Sequence, residues 1–382
     1  MYLPAGDISV KAVAGKAGLD DFLKVPHLVF ADDPQWIAPL DLERREHLSA
    51  QKNPYFAHAE AQLFVAYRDG RAVGRISAQH DRLRSQRYQD QTGQFGFIDA
   101  IDDGAVFAAL IDAARQWLLE RDLKHMQGPF SFSINEETGL LVEGFDTPPC
   151  VMMGHARPYY AGHLAACGLA KVKDVIAYDY DARTPLPRAM QAMVSKVAGS
   201  GDLVIRPISK KHLARDLAII IGIFNDAWSD NWGFVPMTEG EITALGNNLK
   251  MLVSEGYIAI ADWQGEPAAM AVSLPDINHW VRDLGGRLLP FGWAKLLWRM
   301  FARPPQGVRM PLMGVCKVHQ SSPIGAALAL SVIDAVRQYH LSQGTHRAEL
   351  SWILEDNLAI RRIIEALGAE PYKTYRIYER DI

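Results

Sequence analysis

Two stretches of this chain run through the same order of elements, and that duplication limits the possible folds more than any other feature. In the first half, Gln62–Tyr67 reads as a strand, Asp69-Gly70 as a tight hairpin turn, and Ala72–Gln79 as the returning strand. Phe95–Ala100 is a third strand. Asp102-Asp103 then opens a helix over Gly104–Arg121, with Val106, Leu110, Ala113 and Leu118 along one side. A short strand at His125–Gly128, a helix at Tyr159–Cys167 ended by Gly168, and a strand at Val172–Tyr180 follow. The second half begins with a strand at Leu203–Ile208 and a helix at Lys211–Trp228. A hairpin follows, with Tyr257–Trp263 and Pro267–Leu274 turning about Gly265. Then come a strand at Met310–Val318, a helix at Ile324–Leu341 and a strand at Ala348–Ile353. A helix at Asn357–Leu367, stopped by Gly368, and a strand at Tyr372–Glu379 close the chain. Both halves read hairpin, strand, helix, strand, helix, strand.

A single core rarely grows past about 250–300 residues, so 382 residues imply two domains. Asp181–Arg188, with two prolines and several charges, is the natural linker. The expected architecture is α/β (α+β): two domains in tandem, at 1–182 and 183–382, each a mixed, mostly antiparallel sheet flanked by helices. The formal charge of −4 lacks the basic excess of a nucleic-acid protein. Cys150, Cys167 and Cys316 are too few and too scattered for a disulfide scaffold, and no Cys/His spacing fits a zinc site, so no metal is expected. Met1–Asp7 shows no basic and apolar leader, and no apolar run reaches about 18 residues. A cytoplasmic protein is expected.

The order of elements over Met310–Glu379 resembles the GNAT superfamily of N-acetyltransferases. In that fold a central strand leads to a turn of form (Gln/Arg)-x-x-Gly-x-(Gly/Ala) that opens a helix. Its backbone N–H groups hold the pyrophosphate of coenzyme A. Here Gln320-Ser321-Ser322-Pro323-Ile324-Gly325 occupies that place, with Pro323 where the middle glycine belongs. Proline lacks an N–H but suits the first helical position. The resemblance therefore implies an acetyl-CoA or other acyl-CoA co-substrate held by Val318, Gln320, Ser321, Ser322, Ile324 and Gly325. A capped helix start without a ligand is the plain alternative. Asn357, followed eleven residues later by Gly368, matches the asparagine that opens the next helix and faces the pantetheine arm; it too can be a simple cap. Ile364 stands where many of these enzymes carry a tyrosine as general acid.

Glu349 lies on the strand beside the implied acyl position and is the preferred base, with Glu355 and Asp356 at the strand exit as alternatives. Tyr372, Tyr375 and Tyr378 lie near the closing strands, and Tyr375 joins Glu349 in the expected catalytic set. In the first half, Pro34-Gln35-Trp36-Ile37-Ala38-Pro39, Asn53-Pro54-Tyr55-Phe56 and Gly74-Arg75-Ile76 resemble uncharacterised bacterial proteins of the tandem GNAT type. No phosphate turn follows Phe97 there. Asp99, Asp102 and Asp103 would repel a pyrophosphate. The loop Gly128–Asn135 borders an acceptor cleft or is an ordered structural loop.

Within Ile277–Arg309, Phe291–Arg303 reads as a helix with Lys295, Arg299 and Arg303 on one narrow face and aromatic and aliphatic residues over the remainder. A lid, a membrane-surface helix, and packing on the core or a second subunit of a homodimer are its three readings. The resemblance implies acyl transfer to a small-molecule or peptide amine, without nucleic acid. Two other readings stand beside it, a non-catalytic binding or scaffold protein and a Fem-like aminoacyltransferase. The residues of a Nudix hydrolase are absent around Glu43-Arg44-Arg45-Glu46.

Overall fold

The computed structural model describes residues 7–382. Met1–Gly6, which carry most of the leader reading, lie outside the described residues. The chain forms two compact units. The first runs to Val175 and adds Val281–Leu288 and Lys373–Ile382; the second comprises Ile176–Trp280 and Leu289–Tyr372.

In the first unit the strands lie in the order Ile8–Ala12, Ala59–Arg68, Arg71–Asp81, Thr92–Ala100, His125–Gly128 and Glu370–Asp381. The pair Thr92–Ala100 and His125–Gly128 is parallel, and its neighbours are antiparallel. Asp69 and Gly70 have φ of 50° and 75°, the left-handed pair that a two-residue hairpin needs. The acidic residues after Phe97 all have internal work. Asp99 is buried against Arg75 (2.6 Å), and Asp103 caps the helix Gly104–Leu119 through Ala105 N–H (2.9 Å) while pairing with Arg68 (2.7 Å). Phe130, Phe132 and Ile134 of the loop at 128–135 are buried in this unit, and the Gln79 amide donates to the Phe130 carbonyl (2.8 Å).

In the second unit, β1 (Leu203–Pro207) is the edge strand, followed by α1 (Leu213–Trp228), β2 (Ile258–Trp263), β3 (Glu266–Pro275), α2 (Gly292–Ala302), β4 (Gly307–Val315), α3 (Pro323–Ser342), β5 (Arg347–Leu354) and α4 (Leu358–Ala366). The sheet order is β1, β2, β3, β4, β5, then the end of the strand Ala170–Asp181. All pairs from β1 to β4 are antiparallel, and β4–β5 is parallel. Alternation in β2 divides the core between the two faces. Ile258 and Ile260 pack with Ile220, Ile223 and Phe224 of α1, whereas Ala259 and Ala261 pack with Leu328, Val332 and Val336 of α3. The alanine face lets α3 lie close on the sheet. The helix α4 ends as its sequence predicts: Gly368 has φ of 90°, and Ala369 N–H reaches back to the Ile364 carbonyl (3.0 Å).

The segment at 181–188 is tied down within this unit. Ala182 N–H donates to the His346 carbonyl (2.7 Å), Arg337 donates to the Thr184 carbonyl (3.0 Å), and Arg188 already begins a helix, Arg188–Ala198. Of the three readings of the basic aromatic helix, burial in the core does not hold: no residue of α2 is buried. The expected strand Met310–Val318 stops at Val315 because Cys316–Gln320 turn back on themselves through hydrogen bonds to the Cys316 and Lys317 carbonyls.

Candidate functional site

The parallel register of β4 and β5 runs from Gly307–Arg347 to Met310–Leu350 and goes no further, although β4 continues to Val315 and β5 to Leu354. Beyond Met310 the strands diverge. A cavity of about 800 Å³ opens there, lined by both strands and by α3 and α4. Along α3 it touches Ala326, Ala329, Ile333, Val336 and His340. That i, i+3, i+4 stripe follows one helix face over about 21 Å at 1.5 Å per residue. Ile360, Ile363 and Leu367 of α4 line it as well, so its walls are mainly apolar.

At the start of α3 the cavity is bounded by Gln320, Ser321, Ser322, Pro323 and Gly325. The Gln320 amide is anchored to the carbonyls of Val315 (2.8 Å) and Ala227 (3.3 Å). Ser322 is the helix cap: its Oγ accepts from Gly325 N–H (3.0 Å) and donates to the His319 carbonyl (2.6 Å). Pro323 takes the first helical position, as its missing N–H allows. The backbone N–H groups of Ser321, Ser322 and Ile324 have no hydrogen-bond partner among the described residues. A side chain at Gly325 would put its Cβ 2.1 Å from the His319 carbonyl oxygen, so only glycine allows the turn and helix to meet this closely. Asn357 lines the cavity and caps α4 through Ile360 N–H (3.3 Å).

The expected residues are thus only partly brought together. Gln320, Ser321, Ser322, Gly325 and Asn357 line one cavity, and buried Ile364 lines it too. Val318 is 83% exposed and Ile324 36% exposed, and neither side chain forms its wall. Tyr375 belongs to the first unit, fully buried opposite Leu141, and does not line the cavity. Glu349 is buried just behind the lining. Its carboxylate accepts hydrogen bonds from Ser351 Oγ and the Tyr372 hydroxyl. Ser351 itself lines the cavity. Burial holds the Glu349 carboxyl above the ordinary carboxylate range, against the pull of Arg309 and of these two donors.

Several lining residues were missed by sequence reasoning. Trp228, Asn231 and Trp232 come from the end of α1 and the turn after it. The Trp228 indole N–H donates to the Met313 carbonyl (3.0 Å). That carbonyl lies on the β4 edge that β5 has left, and the N–H of the same residue lies on the same edge. His340 and Ser273 also line the cavity, with His340 Nε2 at 2.8 Å from Ser273 Oγ. Burial pushes the His340 imidazole down to about 4. Ser351 did have a signal, since it stands two residues from Glu349 in a strand and must share its face. The tryptophans had none, because a loop's approach to a distant strand leaves no local pattern. Among the described residues no cluster of three metal-ligating side chains occurs, and no helix is long and apolar enough to cross a membrane.

No protein-family model matches the chain. Protein YghO of Escherichia coli (strain K12) is 46% identical over 375 residues, covering 98% of this chain and 95% of its own length. The Bacterial ceramide synthase of Caulobacter vibrioides is 46% identical over 376 residues, covering 98% and 97%. Among solved structures, a tandem GNAT protein from the clavulanic acid biosynthesis pathway matches with a TM-score of 0.59 at 13% identity over 98% of both chains. A GCN5-related N-acetyltransferase from Sphaerobacter thermophilus matches with a TM-score of 0.54 at 10% identity, covering 98% of this chain and 95% of that one. Such identities speak for the fold alone. By whole-length sequence identity the chain belongs to the family of Protein YghO and the Bacterial ceramide synthase, and its fold is that of the tandem GNAT proteins.

Proposed function

We propose that this protein is an N-acyltransferase that moves a long acyl chain from an acyl-CoA to the amine of a long-chain amino alcohol. The single observation that carries this reading is the cavity at the β4–β5 divergence. It combines a phosphate-sized turn with free N–H groups at one end and an apolar stripe about 15 Å long, from Ala326 to Val336. Ser321, Ser322 and Ile324 offer their N–H groups to the pyrophosphate, and Asn357 borders the pantetheine path. The apolar faces of α3 and α4 take the acyl chain. Bound acyl-CoA supplies an activated thioester carbonyl. The relative named Bacterial ceramide synthase supports the choice of acceptor, since a ceramide is an amide of a fatty acid with a long-chain amino alcohol.

The chemistry asked of this chain is modest. The neutral acceptor amine attacks the thioester carbon, a C–N bond forms, the C–S bond breaks, and the thiolate leaves, to be protonated in turn by the one proton that the amine gives up to Glu349. The Met313 N–H, on the open edge of β4, is placed to donate to the carbonyl oxygen as negative charge develops there. Glu349 receives the proton of the amine through the Ser351 hydroxyl, which lies between the carboxylate and the cavity. Apolar walls exclude the water that would hydrolyse the thioester.

A calorimetric titration with acetyl-CoA and with acyl-CoAs of increasing length, followed by turnover with a long-chain amino alcohol, tests this reading. Affinity that rises with chain length, together with an amide product seen by mass spectrometry, is expected. No binding of any acyl-CoA at millimolar concentration would sink it, as would binding without amide formation from any amine. The second outcome would favour the binding-protein reading, for which the internal use of Gln320 and of the Gly325 N–H speaks.

A further inference from the structure

The segment Leu289–Arg303 turns outward the side chains that globular proteins turn inward. Phe301 is 85% exposed, Leu289 80% and Phe291 77%, and Trp293, Leu297 and Trp298 are exposed with them. Six large apolar groups within thirteen consecutive positions form a patch, unlike the single exposed side chains that any surface carries. At 100° per residue, Trp293, Leu297, Phe301, Trp298 and Phe291 fall within an arc of about 160° on α2. The rest of the helix surface carries Leu296, Arg299 and Met300, which are half-buried, and Arg299 donates to the Trp280 carbonyl. The helix therefore rests on its own unit by a narrow mixed side and shows its aromatic side to the surroundings. This is the inverse of a solvent-facing surface helix.

Charge sharpens the picture. From Leu284 to Ile333 the chain has no Asp or Glu, but carries Arg287, Lys295, Arg299, Arg303, Arg309 and Lys317, in a protein whose formal charge is −4. Lys295 and Arg303 are exposed beside the aromatic arc, and the Arg303 guanidinium lies 5.0 Å from the centre of the Trp298 ring. We propose that α2 docks this protein on an anionic lipid bilayer. The helix lies in the interface plane with Phe291, Trp293, Leu297, Trp298 and Phe301 in the headgroup–acyl boundary, and Lys295 and Arg303 sit on anionic headgroups. A second copy of the chain is a poorer occupant. A two-fold interface sets the same patch on itself, and here it would bring the exposed Lys295 and Arg303 of both copies together.

The chain leaving α2 leads directly to the cavity. Thr345, in the cavity wall, donates to the Pro305 carbonyl (2.9 Å), and β4 begins at Gly307. A docked α2 would hold that wall close to the lipid phase into which long-chain amines and acyl groups partition. Bilayer docking and acyl transfer are nevertheless separate properties, and vesicle binding is measured without turnover.

The full chain would be sedimented with phosphatidylcholine vesicles and with vesicles of equimolar phosphatidylcholine and phosphatidylglycerol. Pelleting with the anionic vesicles, a blue shift of tryptophan emission, and weakening by salt are expected. The double variant Trp298→Glu, Phe301→Glu should bind at least about tenfold more weakly, because it removes two aromatic anchors and adds like charge to the anionic surface. Lys295→Gln with Arg303→Gln should lose about twenty-fivefold on anionic vesicles only, each cation near such a surface counting for roughly fivefold. All four side chains are exposed, so these variants should keep the circular dichroism of the parent. Wild type that stays in the supernatant with both vesicle types would overturn the proposal, as would variants that pellet like wild type. A lipid-free dimer that Phe301→Glu dissociates, without vesicle binding by either protein, would assign the patch to a second copy instead.

Discussion

Arg309 and Glu349 are register partners across the parallel strands β4 and β5, and the Arg309 Nε lies 3.7 Å from the Glu349 carboxylate. Ser351 Oγ joins them, accepting from Arg309 Nε (2.8 Å) and donating to Glu349. Both charged groups are buried, and an ion pair in that setting is a weak source of net stability. The pair lies one side chain behind the cavity wall, with Ser351 in the wall, and the proposed proton transfer uses that placement.

If Glu349 accepts the amine proton, it must be ionised to act. The acidic limb of kcat should then lie above the ordinary Glu value of 4.5, in the direction that burial pushes this carboxyl. Glu349→Gln should lower kcat by about 10²–10⁴-fold and remove that limb, while leaving acyl-CoA affinity nearly unchanged. Ser351→Ala should shift kcat in the same direction. A pH–rate profile of the three proteins, with calorimetry on each, decides the matter. A limb that persists in Glu349→Gln assigns the base elsewhere.

The contact of Gly325 with the His319 carbonyl sets a steric test. Gly325→Ala forces a Cβ to 2.1 Å from backbone oxygen, and overpacking of this kind costs about 1–3 kcal/mol. Acyl-CoA affinity should fall with stability because the turn itself must move. Ser322→Ala, which removes the cap and the hydroxyl's bond to the His319 carbonyl, should cost about 1–2 kcal/mol. Thermal unfolding with and without acyl-CoA reads both.

Chain-length selection should be adjustable from α3. Ile333 is buried on the cavity stripe one turn beyond Ala329. Ile333→Trp fills space there and should shift kcat/KM from long toward short acyl-CoA, with little change for acetyl-CoA. Competition between acyl-CoAs of two lengths measures the ratio. An equal loss for all lengths would place the acyl chain outside the stripe.

His340 predicts a pH dependence of stability. Folded, its pKa is depressed from 6.5 to about 4 by burial, so the unfolded chain takes up a proton first as pH falls. Its contribution is complete above pH 6.5 and is lost between about 6.5 and about 4, by about 3 kcal/mol at most. His340→Gln should flatten the slope of unfolding free energy over that window. Urea denaturation at several pH values checks it.

In the first unit, Asp99 pairs with Arg75 where a phosphate turn would otherwise stand. Asp99→Ala leaves the Arg75 guanidinium buried without its partner and should destabilise by about 3–5 kcal/mol. It should not create acyl-CoA binding in that unit, which a calorimetric titration would show.

Much of the fold was legible because its signals are local. Asp69-Gly70 and Gly265 marked their hairpins, Gly368 marked the end of α4, and Ser322-Pro323 marked the start of α3. Each is a backbone preference that a residue carries with it. The alternation of Ile and Ala in β2 sorts its side chains onto the two faces seen in the structure, although it was not read from the sequence. The helices Gly15–Val29 and Arg188–Ala198 were not read, the first because Pro26 interrupts its pattern and the second because it follows the proline-rich segment.

The site was only half legible. The turn at 320–325 and Asn357 could be placed by sequence, since tight turns and helix caps are short-range motifs. Tyr375 could not be told from Tyr372: both are tyrosines near the closing strand, yet one reaches Glu349 and the other is buried opposite Leu141. The tryptophans at the end of α1 and the neutral His340 were invisible for the same reason. The sequence by itself determined the repeated order of elements and the turn that opens α3, because those follow from φ, ψ preferences and periodicity along one segment. Only the tertiary structure decided where β4 and β5 part, what lines the gap, and which way α2 faces, because these depend on contacts between segments far apart in the chain.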